Sequence, residues 1–286
     1  MTTRTSETPE PWSNRRWLAW GVWPIIALAV ALAVQWQINA SPVSSGATSL
    51  NRTIFTFINQ TAAPWPATAW SVLTMLGDAS MLLALFSPLL LFRPQVLAAV
   101  LAAVPLGGLL SVALKRSFDA PRPAAVLEAA QIHVIGPLLS AHSFPSGHTI
   151  ASFAAAIAAL AVLQRPARCS RSAAGHFVSV FTIVISVACG VGISRVAVGA
   201  HWPVDVLAGA GVGWVAGLSG AAASRRWPRL WQSVASQRRL MMILIGIAAW
   251  LLWRPVDYPL GAPVVWLSVV SVVMTAFCMW MRTKRP

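Results

Sequence analysis

Eight apolar runs, separated by short polar or proline-containing segments, constrain this chain more than any other feature. They are Trp17 to Ile38, Trp70 to Phe92, Val96 to Leu114, His148 to Leu163, Phe177 to Ile193, Val204 to Ala223, Leu240 to Trp253 and Pro263 to Met281. A helix needs about 17 to 25 mostly apolar residues to cross the hydrocarbon layer, where no water can satisfy a bare backbone N–H or C=O. Two runs depart from that pattern. The second is interrupted by "GDAS" at Gly77 to Ser80, which predicts a short interfacial helix followed by a span, and the seventh has only 14 residues. The expectation is eight spans, or six if the last two runs form a re-entrant or surface hairpin. Composition agrees, at 57% hydrophobic and 10% charged, against about half apolar and a quarter charged in a soluble domain. The fold class is therefore all-α, a polytopic transmembrane helix bundle.

Charge then orients the bundle. If successive spans alternate in direction, one set of ends holds Arg4, Arg15, Arg16, Arg93, Arg165, Arg168, Arg171, Arg225, Arg226, Arg229, Arg238, Arg239, Arg282, Lys284 and Arg285. The opposite set holds Arg52, Lys115, Arg116, Arg122, Arg195 and Arg254. Basic residues favour the cytoplasmic side, so both termini are expected there. Tryptophans at the run ends fit an aromatic belt. The net charge of +14 is spread over short loops rather than gathered on one face, which excludes a nucleic-acid partner. Cys169, Cys189 and Cys278 have no pairing or metal-ligand spacing. The first run exceeds the ~7 to 15 residue core of a cleaved signal and reads as an uncleaved anchor.

Several cations on the minority side oppose that charge bias and need another reason to be there. Three segments meet on that face: "KRSFDAPRP" (Lys115 to Pro123), "FPSGHT" (Phe144 to Thr149) and "SRVAVGAHWPVD" (Ser194 to Asp205). Lys115, Arg122 and Arg195 suit phosphate oxygens, the two guanidiniums by bidentate contact. Ser146 and Gly147 open a helix whose free N–H groups favour an anion. Asp205 follows His201 by four residues, near enough to fix one imidazole tautomer and leave the other nitrogen free to attack phosphorus. His148 is then available to protonate the leaving oxygen. The set reads as phosphoryl transfer through a phosphohistidine, with no metal and no cofactor.

Each element also has a plainer reading. Lys115, Arg116 and Arg122 could be interfacial anchors, Ser146 a helix cap, and His201 with Asp205 a structural hydrogen bond. Asp78 reads as a helix cap, and His133, His142 and His176 as loop residues, with His142 nearest the site. Arg225 to Arg239 reads as a topology-fixing, lipid-contacting stretch.

Taken together, the three elements resemble the type 2 phosphatidic acid phosphatase (PAP2) superfamily. "KRSFDAPRP" fits its K-x6-RP element, "PSGH" its second, and "SRVAVGAHWPVD" its SR-x5-H-x3-D element, over roughly Gly77 to Ala223. The resemblance implies an integral-membrane lipid phosphatase in which His201 is the nucleophile, Asp205 its orienting partner and His148 the general acid. It likewise implies that Lys115, Arg122, Ser146, Gly147 and Arg195 bind phosphate. The expected organisation is a tail over residues 1–16, a six-span phosphatase core over 17–223, a basic cytoplasmic loop over 224–239 and an extra hydrophobic pair over 240–286. The expected setting is a bacterial inner membrane with the site facing the periplasm or outside, and the expected partners are a lipid phosphate substrate and membrane lipids. The first substrate is undecaprenyl diphosphate. Phosphatidylglycerophosphate, phosphatidate, lipid A phosphates and lipid-to-lipid phosphotransfer are alternatives, and a non-catalytic anion-binding or transport protein is the alternative of a different class.

Overall fold

A computed structural model of the chain describes residues 14–40, 46–164 and 171–283. The tail before Asn14, Cys169 and the basic residues Arg4, Arg165, Arg168, Lys284 and Arg285 lie outside the described residues. In chain order the helices are α1 (Asn14–Ala40), α2 (Gly46–Ala62), α3 (Ala67–Met75), α4 (Ala79–Leu85), α5 (Leu89–Phe92), α6 (Pro94–Phe118), α7 (Pro123–Val126), α8 (Gly147–Leu163), α9 (Arg171–Ala197), α10 (Pro203–Arg226), α11 (Val234–Trp253) and α12 (Ala262–Thr283). No strand occurs among the described residues. The protein is an all-α, multi-pass membrane protein.

Among the described residues six helices, α1, α6, α9, α10, α11 and α12, are long and apolar enough to span, or seven segments if the bent α3–α4 pair is one span, against the eight expected, because α8 has only 17 residues and the second run breaks. The second run is not a short helix followed by a span, as the sequence predicts. It breaks into α3, α4 and α5, and α3 and α4 meet at a 74° bend. The cause is local: Asp78 starts a new helix by accepting hydrogen bonds from the Ser80 and Met81 amides at 2.9 and 3.1 Å, which suits the N-cap role expected of it. The seventh run is longer than its apolar letters suggest. Ser233 caps α11 by accepting from the Ser236 amide, and the helix carries Arg238 and Arg239 in its early turns, for 20 residues in all. Both α11 and the segment Pro259–Arg282 therefore have spanning length, so the reading of the last two runs as a surface hairpin falls.

The centre of the bundle is α8, buried continuously from Thr149 to Ala161 among α6, α9 and α10. Its alanines permit close approach, and α10 supplies the complementary surface. A Cβ on Gly213 would lie 2.6 Å from the Ile150 carbonyl oxygen, and one on Gly217 2.8 Å from that of Ala154. Only glycine lets the two backbones touch there, which is how helices associate when lipid removes the hydrophobic drive between them. The α11–α12 pair packs on α3, α4 and α5 through Met75, Met81, Leu90, Leu244, Leu251 and Val265. Unforeseen in the sequence, α2 folds as a helix beside the bundle end. Its buried Asn59 donates to the carbonyls of His133 and Ala197 at 2.8 and 2.9 Å and accepts from the His133 amide, tying the loop before α8 to the end of α9.

Candidate active site

The end of α6, the start of α8, the end of α9 and the start of α10 converge at one end of the bundle. The structure brings all eight sequence-predicted residues to that end. Lys115 lies in the last turn of α6 and Arg122 at the N-cap of α7. Ser146, Gly147 and His148 open α8, Arg195 sits in the last turn of α9, and Asp205 in the first turn of α10. His201 occupies the turn between α9 and α10. Gly199 makes that turn possible with φ +75°, where a Cβ would also strike the His133 carbonyl oxygen at 2.8 Å. The chain then doubles back so that the Ala200 and His201 amides both donate to the Arg195 carbonyl at 3.1 Å. Arg195 and His201 are thereby locked together.

His201 is buried, and its Nδ1 lies 3.3 Å from Asp205 Oδ2. That carboxylate oxygen also accepts from the Ser143 hydroxyl at 2.5 Å and from the Trp202 amide at 2.8 Å. Asp205 is thus fixed before it meets the imidazole. With Nδ1–H directed to the carboxylate, Nε2 carries the lone pair, and it faces Arg122 Nη1 at 3.4 Å. Burial, followed by the charges of Arg122, Arg195 and Lys115, holds the His201 pKa well below the ordinary 6.5, so the ring is neutral.

The cations are held rather than loose. Arg195, 2% exposed, donates from Nη1 to Thr74 Oγ1 at 2.5 Å and to Tyr258 Oη at 2.9 Å, and its guanidinium lies 5.5 Å from the Tyr258 ring centroid. Its Nε is buried without a partner. An unpaired buried donor of a charged group is costly, and an anion in the pocket would satisfy it. Arg122 donates from Nε to the Ala141 carbonyl and from Nη1 to the Ala200 carbonyl, both at 2.9 Å. Lys115 bonds the His142 carbonyl. Ser146 stands at the N-cap of α8, but its hydroxyl accepts from Thr149 Oγ1 at 2.9 Å while its amide donates to the Asp205 carbonyl. The His142 ring turns outward to Asp119, 3.0 Å away in an exposed pair. Among the described residues no three His, Cys, Asp or Glu side chains converge as metal ligands would.

Three contacts escaped the sequence reading. Ser143 lies in a loop with no distinguishing pattern, and Thr74 is one polar residue in an apolar run. Tyr258 offered the faint signal of being the chain's single tyrosine, at the tip of the α11–α12 connection.

Residues 96–229 match the family model of the PAP2 superfamily. Over that stretch the chain is similar to the PAP2 superfamily. Its fold is similar to that of LpxE from Aquifex aeolicus, at 28% identity and TM-score 0.51, over 60% of this chain and 95% of that one. A second solved structure, the first transmembrane PAP2 type phosphatidylglycerolphosphate phosphatase from Bacillus subtilis, aligns at 21% identity and TM-score 0.51, over 71% of this chain and 96% of that one. No curated protein matches the chain significantly. The helices α11 and α12 lie beyond the residues that the family model matches.

Proposed function

We propose that this protein hydrolyses a lipid-linked phosphate or diphosphate through a phosphohistidine on His201. The observation that carries the reading is the buried Arg195, with an unpartnered Nε, joined to a buried His201 that Asp205 holds in one orientation. Such a pocket binds an anion and offers it a nucleophile.

In the proposed cycle Arg195, Arg122, Lys115 and the first N–H groups of α8 bind the phosphoryl oxygens. His201 Nε2 attacks phosphorus, the bond from phosphorus to the leaving oxygen breaks, and His148 gives that oxygen a proton. Asp205 stabilises the cationic ring that forms. Water then attacks the phosphohistidine, His148 takes its proton, and inorganic phosphate leaves with both histidines restored. A lipid tail would lie in the apolar groove between α1, α8, α9 and α10, lined by Trp23, Phe153, Phe181, Leu207 and Trp214.

The basic ends at Arg225, Arg226, Arg238 and Arg239 lie opposite the site along the helices, which favours a cytoplasmic location for them and a periplasmic or external one for the pocket. The first substrate is a polyprenyl diphosphate such as undecaprenyl diphosphate in a bacterial inner membrane. The test is phosphate release by purified protein in detergent from polyprenyl diphosphate, phosphatidylglycerophosphate, phosphatidate and lipid A. Release from one of them that vanishes in His201→Ala supports the reading, and release that persists in the variant overturns it.

A further inference from the structure

The proposed cycle uses Lys115, Arg122 and Arg195, yet a fourth cation stands at the same end of the bundle. Arg254 ends α11 at its C-cap, where its amide bonds the Trp250 carbonyl. Its Nη2 pairs with Asp78 Oδ2 at 2.8 Å, while Asp78 Oδ1 caps α4. One carboxylate therefore fixes both a helix start and the guanidinium. The pair remains part-exposed, at 20% and 16%, so the other N–H groups of the fork are not sealed away.

The position of this pair is specific. Asp78 follows Gly77, and Gly77 lies so close to the start of α8 that a Cβ there would stand 3.1 Å from the Cβ of His148. Arg254 consequently belongs to the His148 side of the pocket. Among the charges acting on the His148 ring, it follows Arg195 and precedes Arg122 and Lys115. In an in-line displacement the nucleophile and the leaving group occupy opposite sides of phosphorus. A cation on the general-acid side therefore meets the leaving group.

We propose that Arg254, held by Asp78, forms a second anion subsite on the leaving side, which selects substrates carrying another anionic phosphoryl group beyond the bond that breaks. This rests on the hydrolytic reading of the His201 pocket. A lipid diphosphate carries that group joined directly to the leaving oxygen, and a phosphodiester headgroup carries it a few bonds further on. A simple lipid monophosphate has none. Arg254 has no role in attack; it determines specificity by neutralising charge that the leaving group keeps and gains.

The test compares wild type with Arg254→Gln and Arg254→Lys on two matched pairs: polyprenyl diphosphate against polyprenyl phosphate, and phosphatidylglycerophosphate against phosphatidate. In Arg254→Gln the fall in kcat/KM for the doubly anionic member should exceed the fall for its partner by about tenfold or more, with Arg254→Lys between. The pair that shows the effect identifies where the second group sits. In parallel, titration of wild type with inorganic pyrophosphate and inorganic phosphate should show tighter binding of pyrophosphate, and Arg254→Gln should lose that preference. Equal losses within both pairs, or no loss, would overturn the subsite, as would a wild type that binds both anions alike. If wild type hydrolyses none of the four lipids, the hydrolytic reading fails and the two binding titrations still decide the subsite. If Arg254→Gln does not fold, Arg254→Lys and the wild-type preference decide it.

Discussion

Ser143 sits where a small change should have a large effect. Its hydroxyl donates to the Asp205 oxygen that also faces His201, so Ser143→Ala frees the carboxylate from one of its anchors inside a buried site. Losing a hydrogen bond to a buried charged group costs about 1 to 3 kcal/mol. We expect kcat to fall about tenfold or more and the melting temperature in detergent to drop, measured side by side, whereas an unchanged kcat would exclude Ser143 from the positioning of Asp205. The pH profile follows from His201. Its folded pKa lies well below 6.5, so the ring stays a nucleophile at pH 6.5, and the acid limb of kcat/KM should appear only as more acid conditions protonate it, while loss of the His148 proton sets a separate alkaline limb. The unfolded chain binds the His201 proton more readily, so stability should also decline below about pH 6.5. An acid limb centred above pH 6.5 would contradict the shift. The residues that converge at the site end were legible as a group because helix ends and fixed spacings gather them, whereas Ser143 and Thr74 reach that end only through tertiary folding, which leaves no local pattern.

Helix contact explains which elements can tolerate change. Between α8 and α10 the glycines at 213 and 217 face backbone carbonyls at 2.6 and 2.8 Å from a hypothetical Cβ, so Gly213→Val must force the helices apart. Overpacking of this kind costs about 1 to 3 kcal/mol, and because these helices carry His148 and Asp205 the separation should reach the site. The expected result is a lower melting temperature together with a lower kcat, while Gly108→Val in α6, where a Cβ meets nothing within 4 Å, should leave both nearly unchanged. Equal behaviour of the two variants would contradict the close contact. The four-residue spacing of Gly209, Gly213 and Gly217 was open to view in the sequence, but hydropathy reads it only as part of an apolar run. The α3–α4 break was visible as "GDAS", but neither its 74° angle nor the α11–α12 pair packed against it has a local sequence pattern.

Over the whole molecule, the account joins a spanning bundle, a charge asymmetry and one catalytic end. Leu138, 77% exposed in the loop before α8, lies at the site end, and Trp227, 56% exposed, follows α10 at the opposite end. With the native cysteines replaced, Leu138→Cys should react with an impermeant maleimide in intact cells and Trp227→Cys only after permeabilisation. The reverse pattern would place the pocket in the cytoplasm. The charge bias was legible from the sequence because the bilayer imposes it, whereas eight apolar runs overcount the spans, since α8 is short and the second run breaks; the contribution of Tyr258 was not legible, because it arises from an extra helix pair folding back onto Arg195. The central claim is that His201 carries the phosphoryl group. The most direct measurement is rapid alkaline quenching of turnover with a terminally 32P-labelled lipid diphosphate, followed by peptide mapping. The account predicts an alkali-stable, acid-labile label on His201 that is absent from His201→Ala; turnover with the label on another side chain would contradict it.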